Sequence, residues 1–162
     1  MSSQVPRAYA KNHARGREVA LLVLCHLESY KPEERTKGIE IFWSYPPGTI
    51  GESGHLRKWL EHPAIAEFAR HLLTLLLPRW EEIDTLIEAT SRSWRLARMD
   101  RVDRNILRLA VSELQQPNPP AKTVILAESV RLASRYGSET SAPFVNGIVN
   151  ELVQTLAKPV DS

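Results

Sequence analysis

The sequence predicts an all-α protein, on three observations. Apolar residues recur with helical spacing along almost the whole chain. No stretch alternates apolar and polar residues for long enough to indicate a strand. The breaks between periodic stretches carry proline, glycine or a capping serine or aspartate, which are residues that begin and end helices.

The first predicted helix runs from about Ala14 to Ser29 and is apolar on most sides after Glu18, as is typical of a helix buried between others. Residues 31–54 contain three prolines and four glycines. We interpret them as a loop, with room for one short helix near Ile39 to Trp43.

The apolar pattern predicts further helices, one after another, from residue 64 onward. One runs from Ala64 to Leu77 and is ended or kinked by Pro78, which lacks an amide hydrogen. The next places four side chains inward, namely Trp80, Ile83, Leu86 and Ile87.

Three more helices follow. Asp100 is expected to cap the first of them, which closes near Gln116 before a proline-rich break. Its predicted buried stripe is Val102, Ile106, Leu109 and Ala110, and its predicted outer face is Arg101, Arg104 and Arg108. In the next, residues 122–136, one side is formed by Leu126, Ala127, Val130 and Ala133, and Gly137 is expected to end it in a left-handed conformation. Ser141 and Pro143 begin the last helix, which Pro159 closes.

Length and charge predict one domain with a basic leader. The chain has 162 residues and a net charge of +2, but residues 1–17 contain Arg7, Lys11, Arg15 and Arg17 and no acid. We therefore divide it into a basic arm at 1–13 and a single helical domain at 14–158. Such an arm is typical of nucleic-acid binding, although a solvated tail fits the composition equally well.

Cellular location is constrained by what the sequence lacks. The longest apolar run is far shorter than the roughly 20 residues that span a bilayer, so no membrane segment is predicted. The single cysteine, Cys25, and the absence of a secretion signal favour the cytoplasm.

The motifs of the common enzyme classes are also absent. The five histidines form no helical zinc pair, and there is no CxxC, phosphate-binding glycine loop or nucleophile elbow. We therefore predict a protein without catalysis, metal or cofactor. Cys25 and Trp80 are interpreted as packing residues. Trp94, between Arg92 and Arg95, could stack on a base, but burial between helices is favoured.

The pair Asn146 and Gly147 is harder to explain. A glycine inside a helix costs about 1 kcal/mol relative to alanine. Gly147 could allow a close helix crossing, and Asn146 could bond a neighbouring backbone group or a ligand.

Five segments together resemble the NusB family, in order and spacing. They are ARGREVALLVLCHLE, FARHLLTLLLPRWEEIDTLI, VDRNILRLAVSEL, AESVRLASRYG and SAPFVNGIVNEL, joined by the run from Trp94 to Met99. The resemblance covers most of the chain except residues 30–60.

The resemblance implies a bundle of about seven helices in two subdomains, with no cofactor and no catalysis. It also implies partners: boxA-like single-stranded RNA, the ribosomal protein NusE, and through them the antitermination complex with RNA polymerase. By position, RNA contacts are expected at Arg15 and Arg17, with Lys11 and His13 beside them, and at Phe144 and Asn146. Asp103 is expected on the NusE-facing surface.

Two other hypotheses about the function stay open at this point. The chain could be an accessory module acting in trans with a ribosomal RNA methyltransferase, or a protein-binding scaffold without RNA affinity. If the chain binds RNA, we further expect the basic arm and the start of the last helix to lie together and to form one cradle for the strand.

Overall fold

A computed structural model describes residues 6–47 and 54–156 of the chain. In those ranges it contains eight α-helices and no strand, which confirms the predicted all-α class. Two compact units are present, Met1–Leu73 and Thr74–Ser162. The helices are α1 (Arg7–Leu27), α2 (Arg35–Ser44), α3 (Gly54–Glu61), α4 (Pro63–Leu76), α5 (Trp80–Thr90), α6 (Arg101–Leu114), α7 (Lys122–Tyr136) and α8 (Ser141–Leu156). Only His62 separates α3 from α4.

Helix α1 begins earlier than the sequence predicted. It starts at Arg7 instead of Ala14, because residues 7–13 contain no proline or glycine, include the good helix formers arginine, alanine and lysine, and are held by the stacking of His13 on Phe68 of α4. Much of the predicted arm at 1–13 is therefore helical, while residues 1–5 lie outside the described part. The division into an arm and a domain at 14–158 stays a prediction.

The short helix expected near Ile39 to Trp43 is present as part of α2, but the helix is longer than predicted and begins at Arg35. A short 3₁₀ turn at Pro32–Glu34 leads into α2, in which Phe42 is fully buried. Gly38, one of the four glycines counted in the predicted loop, lies inside α2 where the helix approaches α1. A Cβ there would lie 2.7 Å from Leu27 Cδ2, so the glycine serves close packing.

In the second unit, α6 packs against α5, α7 and α8, and α5 also contacts α8. The prediction that Pro78 interrupts the helix is confirmed by a 3₁₀ turn at Leu77–Arg79 between α4 and α5. Trp80, Ile83 and Ile87 are buried as predicted, whereas Leu86 is half-buried. The predicted end at Pro159 lies outside the described residues.

The sequence predicted Arg108 on the outer face of α6, but the structure buries it. It is 6% exposed, and its guanidinium binds both carboxylate oxygens of Asp84, at 2.7 and 3.0 Å. It also donates to Asn105 and lies 4.5 Å from the centroid of the Trp80 ring. An arginine with this many partners can be buried, because its charge and donors are satisfied.

Two expectations for α7 are also wrong. Its buried residues are Ile125, Ser129, Leu132 and Ala133, while Ala127 is exposed, so the predicted face is rotated. Gly137 has an extended backbone, with φ −91° and ψ −168°, and is not left-handed. A Cβ at Gly137 would meet Ser141 and lie 2.7 Å from the Ala133 carbonyl oxygen, so the glycine provides room.

None of the helices in the described ranges combines the length and the apolar character needed to cross a membrane.

Candidate nucleic-acid interface

A line of basic side chains follows one face of α1. Arg7, Lys11 and Arg15 are spaced by four residues, which places them on the same side of the helix. Arg7 and Lys11 are exposed, and Arg15 is half-buried with its guanidinium 5.7 Å from the Trp59 ring centroid. We call these three residues the α1 cationic stripe. With a rise of about 1.5 Å per residue, it extends over roughly 12 Å.

The other predicted contacts on α1, His13 and Arg17, belong to a different face. The His13 ring stacks on Phe68 with 3.7 Å between centroids and 13° between planes, and Tyr9 covers its other side at 3.8 Å. Arg17 is only 4% exposed, and its guanidinium lies 5.4 Å from the Phe68 ring centroid. Both side chains therefore contribute to packing between α1 and α4.

The environment of His13 keeps it neutral at physiological pH. Its pKa is lowered, first by burial and then by the positive charge of Arg17, with a further contribution from the neighbouring His71. A neutral imidazole between two aromatic rings adds packing but no charge. Among these residues of α1, the positive charge at the surface is therefore that of the α1 cationic stripe.

In the second unit, the segment Phe144 to Gly147 forms the second turn of α8. Phe144 is half-buried, Val145 is fully buried, and Asn146 and Gly147 are exposed. A Cβ on Gly147 would meet nothing within 4 Å, so the predicted close helix crossing at this glycine is wrong. The turn offers an open surface in which the helix backbone is accessible at Gly147.

The sequence favoured burial of Trp94 between helices, and this prediction is wrong. The side chain is 53% exposed and meets the Phe144 ring edge-on, with 5.8 Å between centroids and 82° between planes. Arg92, Arg95 and Arg98 are exposed around it. The sequence contained the signal, an aromatic residue among arginines, but the pattern alone could not give its exposure.

Asp103, the predicted partner-facing residue, lies in the first turn of α6 and is 5% exposed. Its pKa is raised, mainly because burial penalises the carboxylate; a hydrogen bond from Ser141 opposes that effect, and the charge of Asp100 adds to it. Its Oδ1 atom has no hydrogen-bond partner in the described part of the protein. A partner-binding role for Asp103 stays a prediction.

The predicted residues thus form two groups, one in each unit. Lys11, His13, Arg15 and Arg17 belong to the first unit, whereas Asp103, Phe144 and Asn146 belong to the second. The single cradle expected from the sequence stays a prediction. No group of three or more potential metal ligands occurs among the described residues.

Sequence comparison gives a consistent family assignment. The NusB family model matches residues 14–154. The transcription antitermination protein NusB of Myxococcus xanthus (strain DK1622) is 39% identical over 145 residues, which cover 89% of this chain and 96% of that protein. NusB of Sorangium cellulosum (strain So ce56) is 34% identical over 143 residues, covering 88% and 92%. These relatives agree with the prediction of a non-catalytic factor.

Solved structures give the same result. Thermotoga maritima NusB superposes with a TM-score of 0.68 at 26% identity, covering 94% of this chain and 93% of that one. A chain from the crystal structure of antitermination factors NusB and NusE in complex with double-stranded RNA gives 0.65 at 25% identity, covering 93% and 99%. From the family match, the identities and the shared fold, we conclude that this chain belongs to the NusB family.

Proposed function

We propose that this protein is a transcription antitermination factor of the cytoplasm that binds boxA-like single-stranded RNA together with NusE. The α1 cationic stripe is the observation that carries the RNA part of the proposal. Three basic side chains follow one another along one helix face, and no acid lies between them in the sequence. Such a stripe attracts phosphates without depending on base sequence.

Four of the residues predicted from the sequence are proposed to touch RNA, and Arg7 is added to them. Lys11 and Arg15 contact phosphates, and Arg7 extends their stripe. Phe144 and Asn146 supply the contacts of the second unit, because Asn146 is exposed and Phe144 is partly accessible. Arg17 and His13 support the α1 surface from beneath, since their side chains pack against Phe68.

For the protein partner we propose that Asp103 belongs to the NusE-binding surface. Its Oδ1 atom is an unpaired acceptor, but it is buried, so a cationic or amide donor from a partner reaches it only if the side chains around it move. The relative solved with NusE and RNA supports a partner of this kind.

Fluorescence anisotropy with a labelled boxA RNA, with and without NusE, tests the proposal. The double variant Lys11→Ala/Arg15→Ala removes two phosphate contacts, so the slope of log affinity against log salt should fall by about 1.4, at about 0.7 per contact with a single strand. The matched control is Lys31→Ala/Lys37→Ala, which removes two exposed lysines outside α1. Its slope should equal that of the wild type.

Unlabelled competitors decide the RNA class. Single-stranded boxA RNA should displace the probe at a lower concentration than a duplex of the same sequence. An unchanged salt slope in Lys11→Ala/Arg15→Ala argues against the stripe. If the wild type binds NusE but no RNA, the protein is a scaffold, and if it co-purifies with a ribosomal RNA methyltransferase in place of NusE, it is an accessory module.

A further inference from the structure

The second unit exposes an aromatic side chain that packing does not explain. Trp94 lies between α5 and α6 and is 53% exposed, more than any other tryptophan in the described part of the chain. Its neighbour Ser91 is buried and donates a hydrogen bond from Oγ to the Trp94 carbonyl oxygen, at 3.2 Å. The backbone of this turn is therefore fixed, while the indole projects into solvent.

A groove of about 820 Å³ runs from Trp94 to α8, and we call it the Trp94 groove. Phe144, Gly147 and Ile148 line its α8 side. A side chain at position 147 would project into open space, so glycine keeps the groove free beside the backbone. An aromatic ring beside an open glycine leaves space for a flat group to lie against the indole.

The charge around the indole is mainly positive. A second groove of about 770 Å³ shares Trp94 and is lined by Arg92, Arg95 and Arg98 against one acid, Glu88. The Glu88 carboxylate accepts a hydrogen bond from the Leu96 amide at 3.3 Å, so it also holds the local turn. One further acid, Glu151, lines the Trp94 groove. The two grooves together therefore favour an anionic ligand with a planar part.

We propose that Trp94 is a base-stacking residue, and that the Trp94 groove holds one nucleobase of a single-stranded RNA whose phosphates contact Arg92, Arg95 and Arg98. This inference rests on the proposed function and adds to it a residue and a binding mode. Stacking on an exposed indole requires an unpaired base, because a paired base is covered by its neighbours. The groove thus favours single strands over duplexes.

The arginines distinguish RNA from a protein partner as the occupant. An apolar protein contact would use the indole but leave three neighbouring guanidinium groups to be desolvated, which is unfavourable without matching acids. A nucleotide supplies a π-face and a phosphate at adjacent positions, and these match the indole of Trp94 and the arginines that line the groove beside it.

The test compares Trp94→Ala, Trp94→Phe and the control Tyr45→Ala in anisotropy titrations with labelled boxA RNA. Tyr45 is also an exposed aromatic residue, 80% exposed, but belongs to the first unit. Trp94→Ala should weaken RNA binding between about 5-fold and about 150-fold, which is the loss expected for one stacked base. Trp94→Phe should retain part of the affinity, and Tyr45→Ala should bind like the wild type.

Salt dependence separates stacking from charge. Trp94→Ala should bind less tightly at every salt concentration with an unchanged slope, whereas Arg95→Ala/Arg98→Ala should lower the slope by about 1.4. Single abasic substitutions in the RNA then locate the stacked base. At one position the abasic RNA should bind the wild type and Trp94→Ala with the same affinity. Melting curves of each variant establish that it is folded.

Equal RNA affinity of wild type and Trp94→Ala overturns the inference and leaves the proposed function intact. A loss of NusE binding with unchanged RNA binding in Trp94→Ala also overturns it, since the groove would then be a protein contact. If the wild type binds no RNA, both the proposed function and this inference fail.

Discussion

Replacing Asp103 with asparagine is expected to stabilise the protein at neutral pH. The carboxylate is 5% exposed, one of its oxygens has no hydrogen-bond partner in the described structure, and its pKa is raised mainly by burial. A buried unsatisfied polar atom costs about 1–3 kcal/mol. The position in the first turn of α6 returns about 0.3–1 kcal/mol through the helix dipole. Asparagine keeps the shape and can still accept the Ser141 bond, but its second amide atom is as unpaired as Oδ1. Only the extra cost of burying a charge is therefore recovered, and the expected net gain is about 1 kcal/mol.

The sign of the pH dependence follows from the raised pKa. A carboxyl group whose pKa is higher in the folded than in the unfolded state contributes stability below its unfolded pKa, and this is lost as the pH rises through the folded pKa. The advantage of Asp103→Asn should therefore be largest at neutral pH and shrink on acidification. Differential scanning calorimetry measures it as a melting-temperature increase of about 2–4 °C per kcal/mol for a chain of this size.

Glu139→Gln is the matched control for Asp103→Asn, because it neutralises an exposed acid of the same unit and should leave the melting temperature nearly unchanged. A clear destabilisation by Asp103→Asn at neutral pH would refute the reasoning, since the charge would then favour the fold. The same variant probes the partner role. If Asp103→Asn loses NusE binding while its stability rises, the charge of Asp103 destabilises the fold and is needed for binding the partner.

Two further predictions concern stability, both measured by urea unfolding. Arg108→Ala should destabilise the protein by about 3 kcal/mol. This is the lower end of the range for breaking a buried ion pair, because Asp84 keeps some solvent access. The control Arg98→Ala, which removes an exposed arginine, should change stability by less than about 0.5 kcal/mol. Gly147→Ala should stabilise by about 1 kcal/mol, since a Cβ there meets nothing within 4 Å. A destabilised Gly147→Ala, or an Arg108→Ala as stable as the wild type, would contradict the packing described.

Sequence reasoning predicted the helices well where apolar periodicity was strong and a breaker was unambiguous. The interruption at Pro78 and the buried residues Trp80, Ile83 and Ile87 followed from pattern and chain chemistry alone. It failed at Gly38 because glycine is ambiguous. The residue that breaks a helix in isolation also lets two helices approach, and only the neighbour, here Leu27, decides between the two roles.

The errors at Arg108 and Trp94 have one physical origin. A charged residue was expected outside and an aromatic residue inside, and each assignment holds on average. Arg108 is buried because Asp84, 24 positions earlier, satisfies its charge, and such a pairing leaves no local signature. Trp94 is exposed although it is large and apolar, because it lies in a turn between two helices instead of on an inward helix face. Burial thus depends on partners that are distant in sequence.

Gly147 connects the sequence argument to the proposed RNA surface. Its cost to helix stability was visible in the sequence, and the structure provides no packing that offsets it, because the position faces open space. The same open space borders the exposed indole of Trp94. An unexplained loss of helix stability and an unexplained exposed ring, identified separately, therefore meet in one groove. If Gly147→Ala stabilises the protein and also weakens RNA binding, that glycine is present for the ligand and not for the fold.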